Sequence, residues 1–310
     1  HVLEKILMDT MQEYEQHDLP KDKPYFCMIP DVQKKFKEDF YFMLDTEMTN
    51  LEDLADLFSL YYLYYIAQTC ITLDQFCAGN RCRPVKFYFA LDWERVSRNR
   101  QCCVEGWNAL SNNLSHMFTH AVTLEIINQC SHETVYDYIN LAKEAASSIQ
   151  EDQRIAQEII KAEALYRSYV GDYTQKFTEI KMPKGISQTD QAIQHLFKCV
   201  EMQFLDTKRN RANQAYNQKF IDYCKNRWVK NRRKAGLVFN LTESDIIFLT
   251  KIAIKDREKI RLIDLYQEYA YRGIYLDHTS KEYLQEFFTK LNLIDKKSDS
   301  GDAQYVKRIL

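Results

Sequence analysis

Leu241-Thr242-Glu243-Ser244-Asp245 opens a helix whose apolar residues Ile246, Leu249, Ile252 and Ala253 recur at helical spacing. Thr242 and Asp245 stand three apart, a variant of the capping box in which a hydroxyl and a carboxylate satisfy the first backbone N–H groups. That helix is expected to run to about Lys255. A second is expected over roughly Arg261 to Tyr271, with Leu262, Leu265, Tyr266 and Tyr269 apolar and Gly273 stopping it. Ile274-Tyr275-Leu276 reads as a short extended stretch. Thr279 or Ser280 is expected to cap a third helix carrying Tyr283, Leu284, Phe287, Phe288 and Leu291. The tail, from Leu293 through Asp299-Ser300-Gly301-Asp302 to Leu310, reads as strand, glycine-containing turn, strand. Three helices, a short strand between the second and third, and a terminal hairpin predict a winged-helix (α+β) domain over residues 237–310.

Upstream, no Gly or Pro occurs between 186 and 235. Thr189 or Asp190 is expected to open a helix with Ile193, Phe197, Val200 and Phe204 on one side. The stripe lapses from Asp206 to Gln214 and resumes with Tyr216, Phe220, Tyr223 and Trp228. One long helix is expected, or two meeting near Asn210. Nearer the start, helices are expected from Asp31 to Asp45 and from Asn50 to Cys70. Further ones carry Trp107, Leu110, Leu114, Phe118 and Ala121, then Val135 to Ala142 with Ser131 as cap, then Ile155 to Tyr166 with Gly171 as stop. Val85 to Leu91 is β-branched and aromatic and fits either one strand or an extended connector. Pro20, Pro24 and Pro30 bracket a loop, and Met182-Pro183-Lys184-Gly185 is a break. Seven Gly and five Pro in 310 residues are about 4% of the chain, against roughly 12% in average usage, too few for the many turns of a sandwich or barrel. With 45% apolar residues available for a core, the fold class is mainly α. The architecture expected is a helical bundle body, a long basic helix and the C-terminal winged-helix domain.

The net charge of −2 hides a strong asymmetry. Residues 1–205 hold 20 basic and 30 acidic side chains, residues 206–234 hold 10 and 2, and residues 235–310 hold 12 of each. The chain therefore divides into an acidic helical body at 1–205, a basic helical connector at 206–236 and the terminal domain at 237–310. The connector carries Lys208, Arg209, Arg211, Lys219, Lys225, Arg227, Lys230, Arg232, Arg233 and Lys234, with aromatics interleaved. If the segment is helical to its end, Arg227 and Lys234 share a face. Such a face suits a polyanionic backbone, because each cation set on a phosphate releases condensed counterions without reading sequence. The competing reading is a solvated face that docks on acidic protein. Lys296, Lys297, Lys307 and Arg308 on the expected wing are further backbone contacts. The third helix would be the reader in the major groove, but Glu282 and Glu286 stand one turn apart on it and repel phosphates, which argues against base-specific reading.

Other chemistry is weaker. Leu57 to Leu73 is 17 residues without a charge but short of the roughly 20 needed to span a bilayer, and it is Tyr-rich, so a buried helix is expected. Nine cysteines and no leader-like start imply a cytoplasmic chain with free thiols. Because the chain begins at His1, a native N-terminus upstream is expected. His116 and His120 have metal-ligand spacing, but Met117 replaces the Glu of a zinc protease helix, and packing is the stronger reading. Cys77, Cys82, Cys102 and Cys103 fit buried thiols better than a zinc site. Asp92 and Glu94 have the look of a metal-dependent nuclease pair, but Val96 stands where its lysine is expected. Neither a phosphate loop nor a nucleophile elbow is present. No catalytic residue, metal or cofactor is assigned.

Two stretches add a resemblance. Leu91-Asp92-Trp93-Glu94-Arg95-Val96-Ser97-Arg98, followed by Gly106-Trp107 and the helix through His120 to Asn128, is one. Lys297-Ser298-Asp299-Ser300-Gly301-Asp302-Ala303-Gln304-Tyr305-Val306 is the other. Together they resemble the DptG (DndG) subunits of bacterial DNA phosphorothioation-dependent restriction systems, mainly over 91–128 and the last 70 residues. The resemblance implies a defence complex that attacks DNA lacking a sulfur mark, with DptF and DptH as the partners where ATPase and helicase-like functions reside. It carries no catalytic residue over to this chain. The expectation is a non-catalytic, DNA-associating scaffold subunit that meets double-stranded DNA through its backbone. The alternatives are a protein-interaction module without DNA contact, or the nuclease of Asp92 and Glu94.

Overall fold

The computed structural model describes residues 27–46, 50–129, 134–170, 186–296 and 304–309. Expectations placed on Pro20, Pro24, Ser131, Gly171, Met182 to Gly185, Lys297 and the turn at Asp299 to Asp302 lie outside those residues. The described chain is mostly helical with a small share of strand. Helix α1 (Pro30–Asp45) packs on α2 (Leu51–Asp74), which Asn50 caps by accepting from the Asp53 N–H. Leu57, Leu60, Leu63, Tyr64, Ala67 and Ile71 of α2 are buried, as its uncharged stretch predicts. Among the described residues no helix is long and apolar enough to cross a membrane.

Strand β1 (Phe87–Leu91) follows, so the strand reading holds for Phe87 to Leu91, and Val85 and Lys86 lead into it as connector. The expected helix after Gly106 is broken into pieces: α3 (Gln101–Val104) precedes it, then α4 (Trp107–Ser111), a 3-10 turn at Asn113–His116 and α5 (Met117–Asn128). Helices α6 (Tyr138–Ala145), α7 (Ile149–Val170) and α8 (Gln188–Leu205) form a layer with its own core of Tyr138, Leu141, Ile155, Ile159, Ile193, Leu196 and Val200. Ser187, not Thr189 or Asp190, caps α8.

The basic stretch is not one helix. Helix α9 (Asn210–Arg227) is separate from α8, and after it the chain turns back as β2 (Val229–Asn231) and β3 (Leu237–Leu241). Lys234 therefore lies in a turn of this hairpin and shares no helical face with Arg227. Gly236, at φ +81°, permits the return. Helix α10 (Glu243–Ile254) has the expected capping box, with both Thr242 and Asp245 bonds present. Next come β4 (Lys259–Arg261), α11 (Leu262–Tyr271), β5 (Ile274–Leu276), α12 (His278–Lys290), β6 (Ile294–Lys296) and β7 (Gln304–Lys307). Asp277, not Thr279 or Ser280, caps α12 by accepting from the Ser280 N–H.

Two sheets organise these pieces. In the four-stranded sheet the order is β2-β3-β1-β5. β1 runs parallel to both β3 (Leu91 opposite Leu241) and β5 (Tyr88 opposite Tyr275), while β2 and β3 are antiparallel. The other sheet is antiparallel, in the order β4-β7-β6. The strand between the second and third helices of the terminal segment thus leaves its neighbours and joins β1. The partner of the terminal hairpin is β4, a strand between the first and second helices that the sequence reading does not anticipate. The main core takes Leu60 and Phe89 from the acidic body, Phe220 and Trp228 from the basic connector, and Leu249, Phe288 and Val306 from the terminal segment. One core therefore runs across both charge boundaries.

Candidate nucleic-acid interface

The carboxyl ends of the parallel strands β1, β3 and β5 meet where α12 begins, and open α/β sheets place ligands at such an edge. Here the edge is filled by the chain's own polar groups. Glu94, 5% exposed, accepts from the Leu91 N–H and the Ser280 hydroxyl, both at 3.0 Å, and from Arg100 at 3.3 Å. Burial pushes its carboxyl up against the opposing pull of Arg100. Arg100 also donates to the Asp277 carboxylate, to the Ser280 hydroxyl at 2.8 Å and to the Arg95 carbonyl at 2.9 Å. Burial raises the Asp277 carboxyl, but the hydrogen bonds from Arg100 and Ser280 outweigh it and hold the group low. Lys230 bonds Asp92 and lowers its carboxyl, and Asn240 donates to the same oxygen at 3.2 Å. A divalent cation at Asp92 and Glu94 would have to displace Lys230 and Arg100, which is poor geometry for the nuclease alternative. The first turn of α12 is equally engaged: Ser280 and Asp277 are buried against this network.

The ten cations of the basic stretch separate into two classes. Three serve the fold. Arg227 bonds Asp56 at 2.8 Å and Asp245 at 2.5 Å, with its guanidinium over the Trp228 ring. Lys230 takes Asp92. Arg232 donates to the carbonyls of Leu91 (2.6 Å) and Asp92 (3.1 Å) and to the Asn240 side chain, closing the ends of β1 and β3. Each of the three is engaged by an internal acceptor, which sets them apart from the other seven. The other seven, Lys208, Arg209, Arg211, Lys219, Lys225, Arg233 and Lys234, are exposed and meet no carboxylate at ion-pair distance among the described residues. Arg211, Lys219 and Lys225 lie on the face of α9 opposite buried Asn213, Asn217, Phe220 and Cys224. On the terminal hairpin, Lys307 and Arg308 are exposed and Lys296 ends β6, while Lys297 lies outside the described residues.

Two cations escape the sequence reading. Arg95 and Arg98 follow β1 and are exposed. Arg98 Nε donates to the Lys234 carbonyl, and Arg232 ties the Asp92 and Glu94 carbonyls to the same hairpin. Loop 92–100 and hairpin 229–241 are thereby joined, and Arg95, Arg98, Arg233 and Lys234 are exposed cations of the joined segments. The signal is present as Arg95-x-x-Arg98, but those residues are more than 130 positions from the hairpin to which Arg98 is tied.

His116 and His120 are held by Asp74, at 3.0 Å and 2.7 Å, with the Tyr138 hydroxyl 3.0 Å from the other nitrogen of His120. This is the packing role expected of them. Cys102 and Cys103 are buried, and neither they nor Cys77 and Cys82 belong to a metal-sized cluster among the described residues. No protein-family model matches this chain, and no curated protein matches it.

Proposed function

We propose that this chain is a non-catalytic, DNA-associating scaffold subunit of a phosphorothioation-dependent restriction complex. It holds double-stranded DNA by the phosphate backbone, works in the cytoplasm and assembles with DptF and DptH. The observation that carries the DNA contact is the Arg98–Lys234 tie, which joins two distant segments that carry four exposed cations, none with a carboxylate at ion-pair distance among the described residues. Exposed cations free of internal acid partners are the side chains able to release counterions from DNA. The resemblance of residues 91–128 and of the C-terminal segment to DptG supplies the complex and its partners. We read residues 237–310 as a winged helix. In support, α10, α11 and α12 surround an antiparallel sheet ordered β4-β7-β6, with β4 between the first two helices and the hairpin after the third. In this reading α12 is a framework helix, since its first turn is bound to Glu94 and Arg100, and the last strand adds Lys307 and Arg308 as backbone contacts.

The test is a salt-series DNA-binding measurement on the purified chain and on a variant with Arg98, Arg233 and Lys234 changed to Glu. Backbone contact predicts weaker binding and a salt slope that falls by about 0.9 for each phosphate no longer neutralised. Unchanged affinity and unchanged slope would sink the reading.

A further inference from the structure

Helices α7 and α8 carry a cluster that DNA contact does not use. Glu163 projects from α7 towards His195 and Cys199 of α8, which stand four residues apart and share one helical face. Glu163 Oε2 lies 2.7 Å from His195 Nδ1, and Oε1 lies 3.7 Å from Cys199 Sγ. The sulfur is 3.8 Å from His195 Nδ1. Ligand-type atoms of all three residues fall within 4.8 Å of one another. Glu163 and Cys199 are buried, whereas the His195 side chain is 25% exposed and forms the open edge of the cluster.

Thiolate, imidazole and carboxylate together form a zinc ligand set. Tetrahedral bonds of about 2.3 Å to sulfur and about 2.0–2.1 Å to nitrogen and oxygen put sulfur roughly 3.6 Å from each of the others, and nitrogen roughly 3.3 Å from oxygen. Both sulfur separations here are already close to that requirement. The carboxylate meets sulfur with Oε1 and nitrogen with Oε2, so it must rotate to set one oxygen about 3.6 Å from the sulfur and about 3.3 Å from Nδ1.

The cluster already attracts a cation. Arg167, one turn beyond Glu163, donates from Nε to Glu163 Oε1 at 2.7 Å, and its Nη2 lies 3.7 Å from Cys199 Sγ. The guanidinium thus neutralises the carboxylate and touches the sulfur, as a bound metal would. Its side chain is 27% exposed and has solvent to retreat into. A plain inter-helix ion pair needs Glu163, His195 and Arg167 but has no use for a sulfur facing all three.

We propose that Glu163, His195 and Cys199 form a zinc-class metal site that pins α7 to α8. Arg167 holds the ligands together before the metal enters and moves aside when it does. Solvent completes the coordination from the His195 side.

Co(II), which reports thiolate ligation by a sulfur-to-metal charge-transfer band, is titrated into the full chain, and Zn(II) is then added in competition. The expected result is one equivalent of Co(II) with that band, displaced by Zn(II). Cys199→Ser removes the band and weakens binding by more than about 100-fold, beyond what loss of an outer-shell partner causes. Arg167→Ala keeps the three ligands and is expected to tighten binding by removing the competing cation. Absence of binding, a spectrum without the sulfur band, a band that survives Cys199→Ser, or weaker binding in Arg167→Ala would each overturn the proposal.

Discussion

Arg272 and Asp39, 233 residues apart in the chain, meet as a bidentate ion pair, Nε to Oδ2 at 2.6 Å and Nη2 to Oδ1 at 2.7 Å, with both side chains almost wholly buried. The remaining guanidinium donors reach the Glu268 carbonyl and carboxylate and the Ile252 carbonyl, and the Tyr61 hydroxyl donates to Asp39 at 2.8 Å. The pair locks α1 to the ends of α10 and α11. Removing Arg272 leaves the buried Asp39 carboxylate with only the partly exposed Lys255, 3.3 Å away, as its cation, which costs about 3–5 kcal/mol. Arg272→Ala is expected to lose that much in urea denaturation. The double change Arg272→Met with Asp39→Leu is expected to recover much of it, since apolar residues of similar volume carry no stranded charge. A cost below about 1 kcal/mol for Arg272→Ala would mean that water reaches the pair.

The division of the basic stretch makes a separate prediction. Arg227→Ala leaves Asp245, which is 3% exposed, with its Thr242 hydrogen bonds but without its cation, and is expected to destabilise the fold by about 2–3 kcal/mol while leaving the salt slope of DNA binding unchanged. Lys230 and Asp92 are both about half exposed, so Lys230→Ala is expected to cost less than about 1 kcal/mol. Changing Arg233 and Lys234 should do the reverse: little effect on the melt and a lower salt slope. A fall in slope on losing Arg227 would place that residue among the proposed backbone contacts.

What the sequence reveals follows the range of the interactions. The capping box at Thr242 and Asp245 and the strands of the terminal hairpin are local, so spacing alone exposes them. Strand β4 escapes because Lys259-Ile260-Arg261 offers one apolar residue, and its existence depends on β7, with Ile260 opposite Val306. Strand β5 reads as extended, but its pairing of Phe87 with Ile274 spans most of the chain and leaves no periodic trace. The basic residues are legible as charges but not as partners: whether Arg227 faces DNA or Asp56 and Asp245 depends on where α2 and α10 pack. Arg98 joins the site through a backbone carbonyl, which no residue type encodes.

Acid stability should report the histidine network. Burial raises the Asp74 carboxyl, but hydrogen bonds and charge from His116 and His120 outweigh it and hold the group at about 2, below its ordinary 3.8. A carboxyl lowered by folding contributes stability that is full above its unfolded value and is lost as pH falls through the folded one, here between about pH 4 and pH 2 and worth about 2 kcal/mol. Asp74 raises the His116 imidazole, so the contribution of His116 is full below pH 6.5, its ordinary value, and fades as pH rises through the folded value. Burial lowers His120 despite Asp74, which keeps that ring neutral, donating to Asp74 and accepting from Tyr138. Asp74→Asn should flatten the stability profile between pH 4 and 2 and remove the His116 contribution. An acid limb unchanged in Asp74→Asn would place the pH sensitivity elsewhere.

Gly273 turns the chain from α11 into β5 at φ +83°, and a Cβ there would meet three atoms of the buried Tyr64 ring at 2.7–2.9 Å. Alanine is penalised twice at this position: about 1–2 kcal/mol for the left-handed backbone, and about 1–3 kcal/mol for pushing a core ring off its seat. Gly236, at φ +81° with no neighbouring atom within 4 Å of where a Cβ would stand, carries only the backbone cost. Both glycine-to-alanine variants are therefore expected to be destabilised, with Gly273→Ala losing about 2–4 kcal/mol. A Tyr64→Leu background separates the two causes, because it frees the space over Gly273 and changes nothing at Gly236. The cost of Gly273→Ala should shrink in that background while that of Gly236→Ala stays fixed. Equal costs in both backgrounds would show that the ring does not set the approach of β5 to α2, leaving backbone conformation as the sole reason for glycine at this turn.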